Sequence, residues 1–202
     1  MHIKLLVSFL AIPFLPFAQQ QNLLQYAHPL FGTQKMGHVY PGATVPFGMV
    51  QLSPDTRLEG WDGCSGYHYS DSYIYGFTHT HLSGTGCSDY GDILLMPMNG
   101  EPSSDNKIYG SAFSHANEKA TPGYYSVKLD DDNILAELTA TARVGMHQYT
   151  FPQNNDAHII FDLMSGVYNY EEKNVWTFVR VVNDTLVTGY RQTNGWGRTR
   201  TV

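Results

Sequence analysis

Residues 145–151 alternate strictly: His147, Tyr149 and Phe151 fall on one face, Met146, Gln148 and Thr150 on the other. A period of two belongs to a strand, whose successive side chains point to opposite sides of a sheet. The stretches around it read the same way. Residues 124–129 and 134–142 flank the polar run Asp130-Asp131-Asp132-Asn133 as strand, turn and strand. Residues 175–182 and 185–191 flank the pair Asn183-Asp184 as a tight hairpin. Residues 157–163 add a short apolar run that carries Asp162. No amphipathic stretch of helical length interrupts them. Closely spaced strands with turn signals predict an all-β chain, folded as an antiparallel β-sandwich.

The first half has a different texture. From about residue 26 to residue 100 it is dense in Gly, Pro, Ser, His and aromatics, as in Tyr40-Pro41-Gly42, Pro46-Phe47-Gly48 and Gly60-Trp61-Asp62-Gly63. Such punctuation predicts loops joined by short strands, and loops on a rigid scaffold are where binding residues gather. Before it, residues 1–18 read as a secretory signal: Lys4, an apolar run over 5–17, the small Ala18, then Gln19-Gln20-Gln21. The run is shorter than the ~20 residues a membrane span needs, so no span is expected. Pro13 and Pro16 speak against a buried helix there. The expectation is a secreted or periplasmic protein cleaved near Ala18, with residues 19–202 as one N-terminal β-sandwich domain. The final residues, Trp196 to Val202, read as the start of a further strand, so that domain is expected to be incomplete at its C-terminus.

Charge narrows the partners. The formal net charge is -6, and the 12 Lys and Arg are scattered. No basic stripe exists to displace counterions from a phosphate backbone, which excludes nucleic acid. Cys64 and Cys87 are the two cysteines. Export permits a disulfide between them, and two buried thiols fit equally well.

Two loop constellations carry chemistry. The first runs from Asp55 through Arg57, Glu59, Trp61, Asp62 and Cys64 to Tyr67, His68 and Tyr69. An aromatic face stacks on sugar C–H groups, and planar carboxylates or guanidinium take paired hydrogen bonds from hydroxyls. Trp61 is the stacking candidate; the alternative is a Trp filling the core beneath a loop. The second is His79-Thr80-His81, followed by Gly84-Thr85-Gly86, Asp89 and Asp92. On a strand the two imidazoles would share a face, and with His68, Asp89 or Asp92 could hold a transition metal. The other reading makes them hydrogen-bonded organisers of a loop. The glycines suit positive φ or a close backbone approach, with no phosphate-loop Lys behind them. Asp89 and Asp92 orient neighbouring donors or sit solvated in a turn.

Three segments together resemble the N-terminal domain of the family 92 glycoside hydrolases: 38–55 (HVYPGATVPFGMVQLSPD), 64–69 (CSGYHY) and 76–92 (GFTHTHLSGTGCSDYGD). The resemblance implies an exported, calcium-dependent, inverting exo-α-mannosidase, with many relatives cutting α-1,2 links in N-glycans. It implies an N-terminal β-sandwich joined to a larger barrel of paired helices, with the site between them. The general acid, the general base and the main calcium ligands would lie in the helical part, outside this chain. The chain itself would then hold no catalytic residue and no metal ligand, and would be inactive alone. Asp55, Arg57, Trp61, Asp62, Cys64, Tyr67, His68, His79 and His81 would shape the pocket wall. The partners implied are a mannose-containing glycan and the helical domain of the same polypeptide. The competing reading is a stand-alone secreted carbohydrate-binding β-sandwich module.

Overall fold

The computed structural model describes residues 22–84, 86–103, 105, 109–153, 156–167, 172–196 and 198–202. The expected export signal lies outside these residues. Among them run thirteen strands: β1 (Ala43–Thr44), β2 (Gln51–Asp55), β3 (Tyr73–Ile74), β4 (Gly76–Thr78), β5 (Leu94–Met98), β6 (Ser111–Thr121), β7 (Tyr124–Leu129), β8 (Ile134–Ala140), β9 (Gly145–Thr150), β10 (His158–Asp162), β11 (Asn174–Asn183), β12 (Leu186–Gly195) and β13 (Arg198–Thr201). They form a sheet of order β1-β2-β4-β5-β10, a second of order β3-β6-β7-β8-β9, and a third of order β11-β12-β13. Every pairing in them is antiparallel. The all-β antiparallel reading of the sequence holds.

The two five-stranded sheets enclose the core. β7 buries Tyr125, Val127 and Leu129, and β8 buries Ile134, Ala136 and Leu138. The register sets Tyr125 opposite Leu138, Val127 opposite Ala136 and Leu129 opposite Ile134, so one face of the pair is wholly apolar. The facing sheet answers with Leu52, Phe77, Leu94, Met96 and Met98. Each such side chain, fully buried, contributes about 1.5–3 kcal/mol. The alternation read in residues 145–151 is that of β9, whose His147 and Tyr149 turn inward while Met146, Gln148 and Thr150 face solvent. The register of β6 shifts between Phe113 and Glu118, as at a bulge. The Glu118 side chain is fully buried there and accepts from the hydroxyls of Tyr67 (2.9 Å) and Tyr125 (2.7 Å) and from His115 Nδ1 (2.6 Å).

One local reading shifts and one holds. The hairpin turn is Asp184-Thr185, one residue later than the pair read from sequence, because Asn183 still pairs with Leu186. Asn183 Oδ1 accepts from both the backbone N–H and the hydroxyl of Thr185, at 3.0 Å each, which fixes that position. The strand foreseen near the C-terminus is β13, and it pairs with β12.

The third sheet is tied to the first through charge. Arg191, on β12, is fully buried; its Nε donates to Asn174, its Nη1 to the carbonyls of Ser165 and Gly91, and Asp92 lies 3.6 Å away. Arg200, on β13, reaches Asp89 at 2.6 Å and Asp92 at 3.3 Å, with its guanidinium 4.2 Å from the Tyr90 ring centre. Lys173 donates to the carbonyls of Val167 and Tyr90. Burial first, then Arg191, lowers its ammonium to about 8.

Candidate functional site

The end of β2 is the foundation. Asp55 closes that strand fully buried, and its Oδ1 lies 2.8 Å from His81 Nε2. His81 Nδ1 lies 2.8 Å from the Gln51 carbonyl, which can only accept, so Nδ1 carries a proton. Thr78 Oγ1 joins His81 Nε2 at 3.0 Å. The backbone fits around this pair: Gly66 has φ +82°, and a Cβ there would lie 2.1 Å from Asp55 Oδ1. Only glycine satisfies both demands.

Beyond Asp55 the chain turns outward into a guanidinium clasp. Arg57 binds Asp71 with Nε (3.1 Å) and Nη2, and Asp62 with Nη1 (2.5 Å). Asp71 also accepts from Thr56. The Asp71 hydrogen bonds hold the guanidinium above its ordinary range. The clasp fixes the 3₁₀ turn Trp61–Gly63 between its two ends. Trp61 itself is 56% exposed, so it does not fill the core. Its ring meets the edge of His38 at 4.5 Å between centres. Gly86 passes so close to it that a Cβ would lie 2.3 Å from Trp61 Nε1.

The nine residues singled out from sequence therefore divide. Arg57, Trp61 and Asp62 face solvent at least in part and adjoin one another. Asp55 and His81 form the buried support behind them. Cys64 and Tyr67 are each 1% exposed, and Tyr67 belongs to the sandwich core, its hydroxyl on Glu118. His68 is buried, with Nδ1 2.8 Å from the Ser70 hydroxyl. In this arrangement those three lie behind the surface. Cys64 and Cys87 form no disulfide, and burial raises the Cys64 thiol.

The shared-face reading of His79 and His81 fails, because β4 ends at Thr78 and the two rings take different partners. His79 Nδ1 donates to the Ile93 carbonyl at 2.8 Å. Its Nε2 then accepts from His147 Nε2–H at 3.0 Å, and His147 Nδ1 accepts from the Tyr149 hydroxyl at 2.7 Å. Burial lowers His79, and burial with the neighbouring imidazole lowers His147 to about 3. Both are neutral organisers of the join between the two sheets. Asp89 and Asp92 bind arginines. Among the described residues no three His, Cys, Asp or Glu side chains come together to hold a metal.

Sequence reasoning missed Asp71, His38, Gln51 and His147 as parts of this architecture. Each acts through a contact across 14 to 68 positions or from an unremarkable neighbourhood. Pro46-Phe47-Gly48 is legible in the sequence only as loop punctuation, without a role for its ring. Its turn places Phe47 at φ +59° with its side chain wholly in solvent.

The comparisons with known proteins agree with this geometry. Residues 26–202 match the model of the glycosyl hydrolase family 92 N-terminal domain. An uncharacterized secreted glycosidase of Arthroderma benhamiae is 34% identical over 141 residues, which are 66% of this chain and 18% of that protein. The fold matches a family 92 α-mannosidase of Bacteroides thetaiotaomicron with a TM-score of 0.84 and 40% identity, over 90% of this chain and 25% of that one. That mannosidase in complex with mannoimidazole gives a TM-score of 0.83. A family 92 inverting mannosidase of the same species gives 0.63 at 30% identity, over 85% of this chain and 25% of that one. The chain thus spans a quarter or less of the length of these relatives. Among the described residues no helix is long and apolar enough to cross a membrane. By its matched length, its sheets and its loops, the chain belongs to glycoside hydrolase family 92, and residues 26–202 are its N-terminal domain.

Proposed function

We propose that this chain forms the substrate-facing wall of a secreted, calcium-dependent, inverting exo-α-mannosidase that removes α-1,2-linked mannose from N-glycans. The observation that carries the reading is Trp61: a large ring open to solvent, propped by His38 and Gly86 and flanked by the Arg57–Asp62 pair. That is the surface a pyranose takes, with C–H groups on the ring and hydroxyls on the charged pair. The likeness to solved mannosidases, one of them holding mannoimidazole, supports the sugar class.

Inverting hydrolysis needs one carboxylic acid to protonate the leaving oxygen and one carboxylate to activate water on the opposite face. Among the described residues the buried carboxylates each hold a partner through one oxygen or both: Asp55 through His81, Asp89 and Asp92 through arginines, Glu118 through two tyrosines and a histidine, while Asp55 Oδ2 and Asp92 Oδ1 take no hydrogen bond. Following the resemblance to family 92, the reading assigns both catalytic carboxylates, and the calcium ligands, to the part of such a polypeptide that this chain does not span. Calcium there would supply positive charge to oxygen atoms of the sugar. The role of this chain is to bind and orient the terminal mannose and to exclude water from one side.

The test compares mannose release from mannosyl-α-1,2-mannose by the 202-residue chain and by a polypeptide extended through a helical domain, with calcium and with a chelator. Turnover only by the extended form, abolished by chelation, is expected. Turnover by the short chain would place the catalytic pair among the residues above and overturn this division of labour.

A further inference from the structure

Beside Tyr40 lies an open groove of about 650 Å³, within the ~300–1,000 Å³ of small-molecule sites. Tyr40, whose ring centre is 5.2 Å from that of His81, forms part of its wall, so the groove adjoins the support of the Trp61 loop cluster. His28, Thr44, Gln51 and Ser83 also line it, and Phe47 stands at its edge.

Phe47 occupies an unfavourable place twice over. The Gly48 N–H donates to the Val45 carbonyl at 2.9 Å, closing a turn with Pro46 second and Phe47 third. The third position has φ +59°, where type II turns put glycine. The ring gains nothing from the fold in return, since it is fully exposed. A bulky residue held in strained backbone to display an apolar ring is what a binding platform requires. The lining decides what sits on it. Among the described residues it holds no Asp, Glu, Lys or Arg, and instead offers hydroxyls, an amide and an imidazole. A charged ligand would find no counter-ion there. A neutral pyranose would find hydrogen-bond partners for its hydroxyls and a ring for its C–H face.

We propose that this groove is a second subsite for a neutral hexopyranose unit of the glycan, with Phe47 as its stacking platform. The proposal rests on the reading of the chain as a mannoside-facing domain, and adds to it a contact separate from the Trp61 cluster.

The test is the affinity of the 202-residue chain for α-1,2-mannobiose, measured by ligand-observed saturation transfer and calorimetry, in intact, Phe47→Gly, Phe47→Tyr and Trp61→Ala forms. Phe47→Gly removes the ring and relieves the backbone, so its melting temperature stays level or rises. Its dissociation constant rises about tenfold, while Phe47→Tyr stays within about twofold of the intact chain. Unchanged affinity in Phe47→Gly overturns the subsite; if Trp61→Ala still weakens binding, the mannoside-facing reading survives it. Unchanged affinity joined to a lower melting temperature of Phe47→Gly in an extended polypeptide overturns it in another way, by assigning the ring to packing between domains. No binding of mannobiose by the intact chain overturns both contacts. The hydrolase reading is then judged by turnover of the extended polypeptide alone.

Discussion

The sandwich and the third sheet are held by opposite means. Between the two five-stranded sheets the core is mainly apolar, with Phe77, Leu94, Met96, Val127 and Ile134 shut off from solvent and the Glu118 and His79–His147 contacts as polar exceptions. The β11-β12-β13 sheet is anchored by ions, with Arg191 and Asp92 fully buried and Arg200 and Lys173 beside them. Its apolar side chains meanwhile stand in solvent: Val175, Trp176, Phe178, Val179, Val181 and Val182 on β11 are each more than 40% exposed. Apolar burial is non-directional and tolerates repacking, whereas a buried ion pair fails once either member is removed. The difference teaches where the molecule is cooperative and where it is hinged on a few contacts.

The comparison is broken most severely in the core. Phe77→Ala should cost about 3–5 kcal/mol, since it opens a cavity at the middle of the first sheet. Denaturant melting is expected to show one global transition at a much lower midpoint. A loss under about 1 kcal/mol would mean that the two sheets are not packed as described.

Breaking the ionic anchor should cost about as much or slightly less, but in one place. Asp92→Ala takes from the buried Arg191 guanidinium the carboxylate 3.6 Å away and weakens Arg200, a change of about 3 kcal/mol. Hydrogen exchange is expected to accelerate in β11, β12 and β13 while β7 and β8 keep their protection. Uniform acceleration across all three sheets would show that they unfold as one unit and remove the distinction.

The third difference is in pH. His147 is held at about 3 in the folded chain by burial, against ~6.5 when unfolded, and His79 is lowered too. Below ~6.5 the unfolded chain binds protons that the fold refuses. The stability from these rings is present above ~6.5 and is lost as pH falls toward 3, by up to about 1.4 kcal/mol per unit for each ring. Chemical denaturation at pH 6.5 and 5.0 should register the drop, and His147→Gln should flatten it. An unchanged slope in that variant would assign the acid sensitivity to other groups.

These particulars also mark what a sequence of this kind discloses. β7, β8 and β9 were legible because one buried face imposes a period of two, and that face is the core. β11 and β12 were legible as strands, yet their separation from the sandwich was not. Apolar residues at successive positions, such as Val175-Trp176 and Val181-Val182, carry no inside and no outside. In the candidate site, the carbohydrate character of the 55–69 loop could be read from residue types. The roles could not. Arg57 takes its fork from Asp71, fourteen positions on, and His79 takes its partner from His147, sixty-eight positions on. The two histidines read as a pair were separated by a backbone that leaves its strand after Thr78.

Trp61 gives the smallest stability effect, and for that reason the most selective one. A Trp serving as core would cost about 3–5 kcal/mol on truncation to Ala. At 56% exposure, with His38 and Gly86 against it, Trp61→Ala is expected to cost under about 1 kcal/mol. The Arg57 clasp on Asp62 and Asp71 does not pass through the ring and should hold the 3₁₀ turn in place. Melting of the variant beside the intact chain, with kcat/KM on an α-mannoside in an extended polypeptide, separates the two outcomes. A near-unchanged melt with kcat/KM lower by about tenfold or more makes the ring a sugar contact. A melt lowered as far as that of Phe77→Ala would show that Trp61 belongs with the core after all, and the line drawn between the packed sandwich and its exposed working loops would have to move.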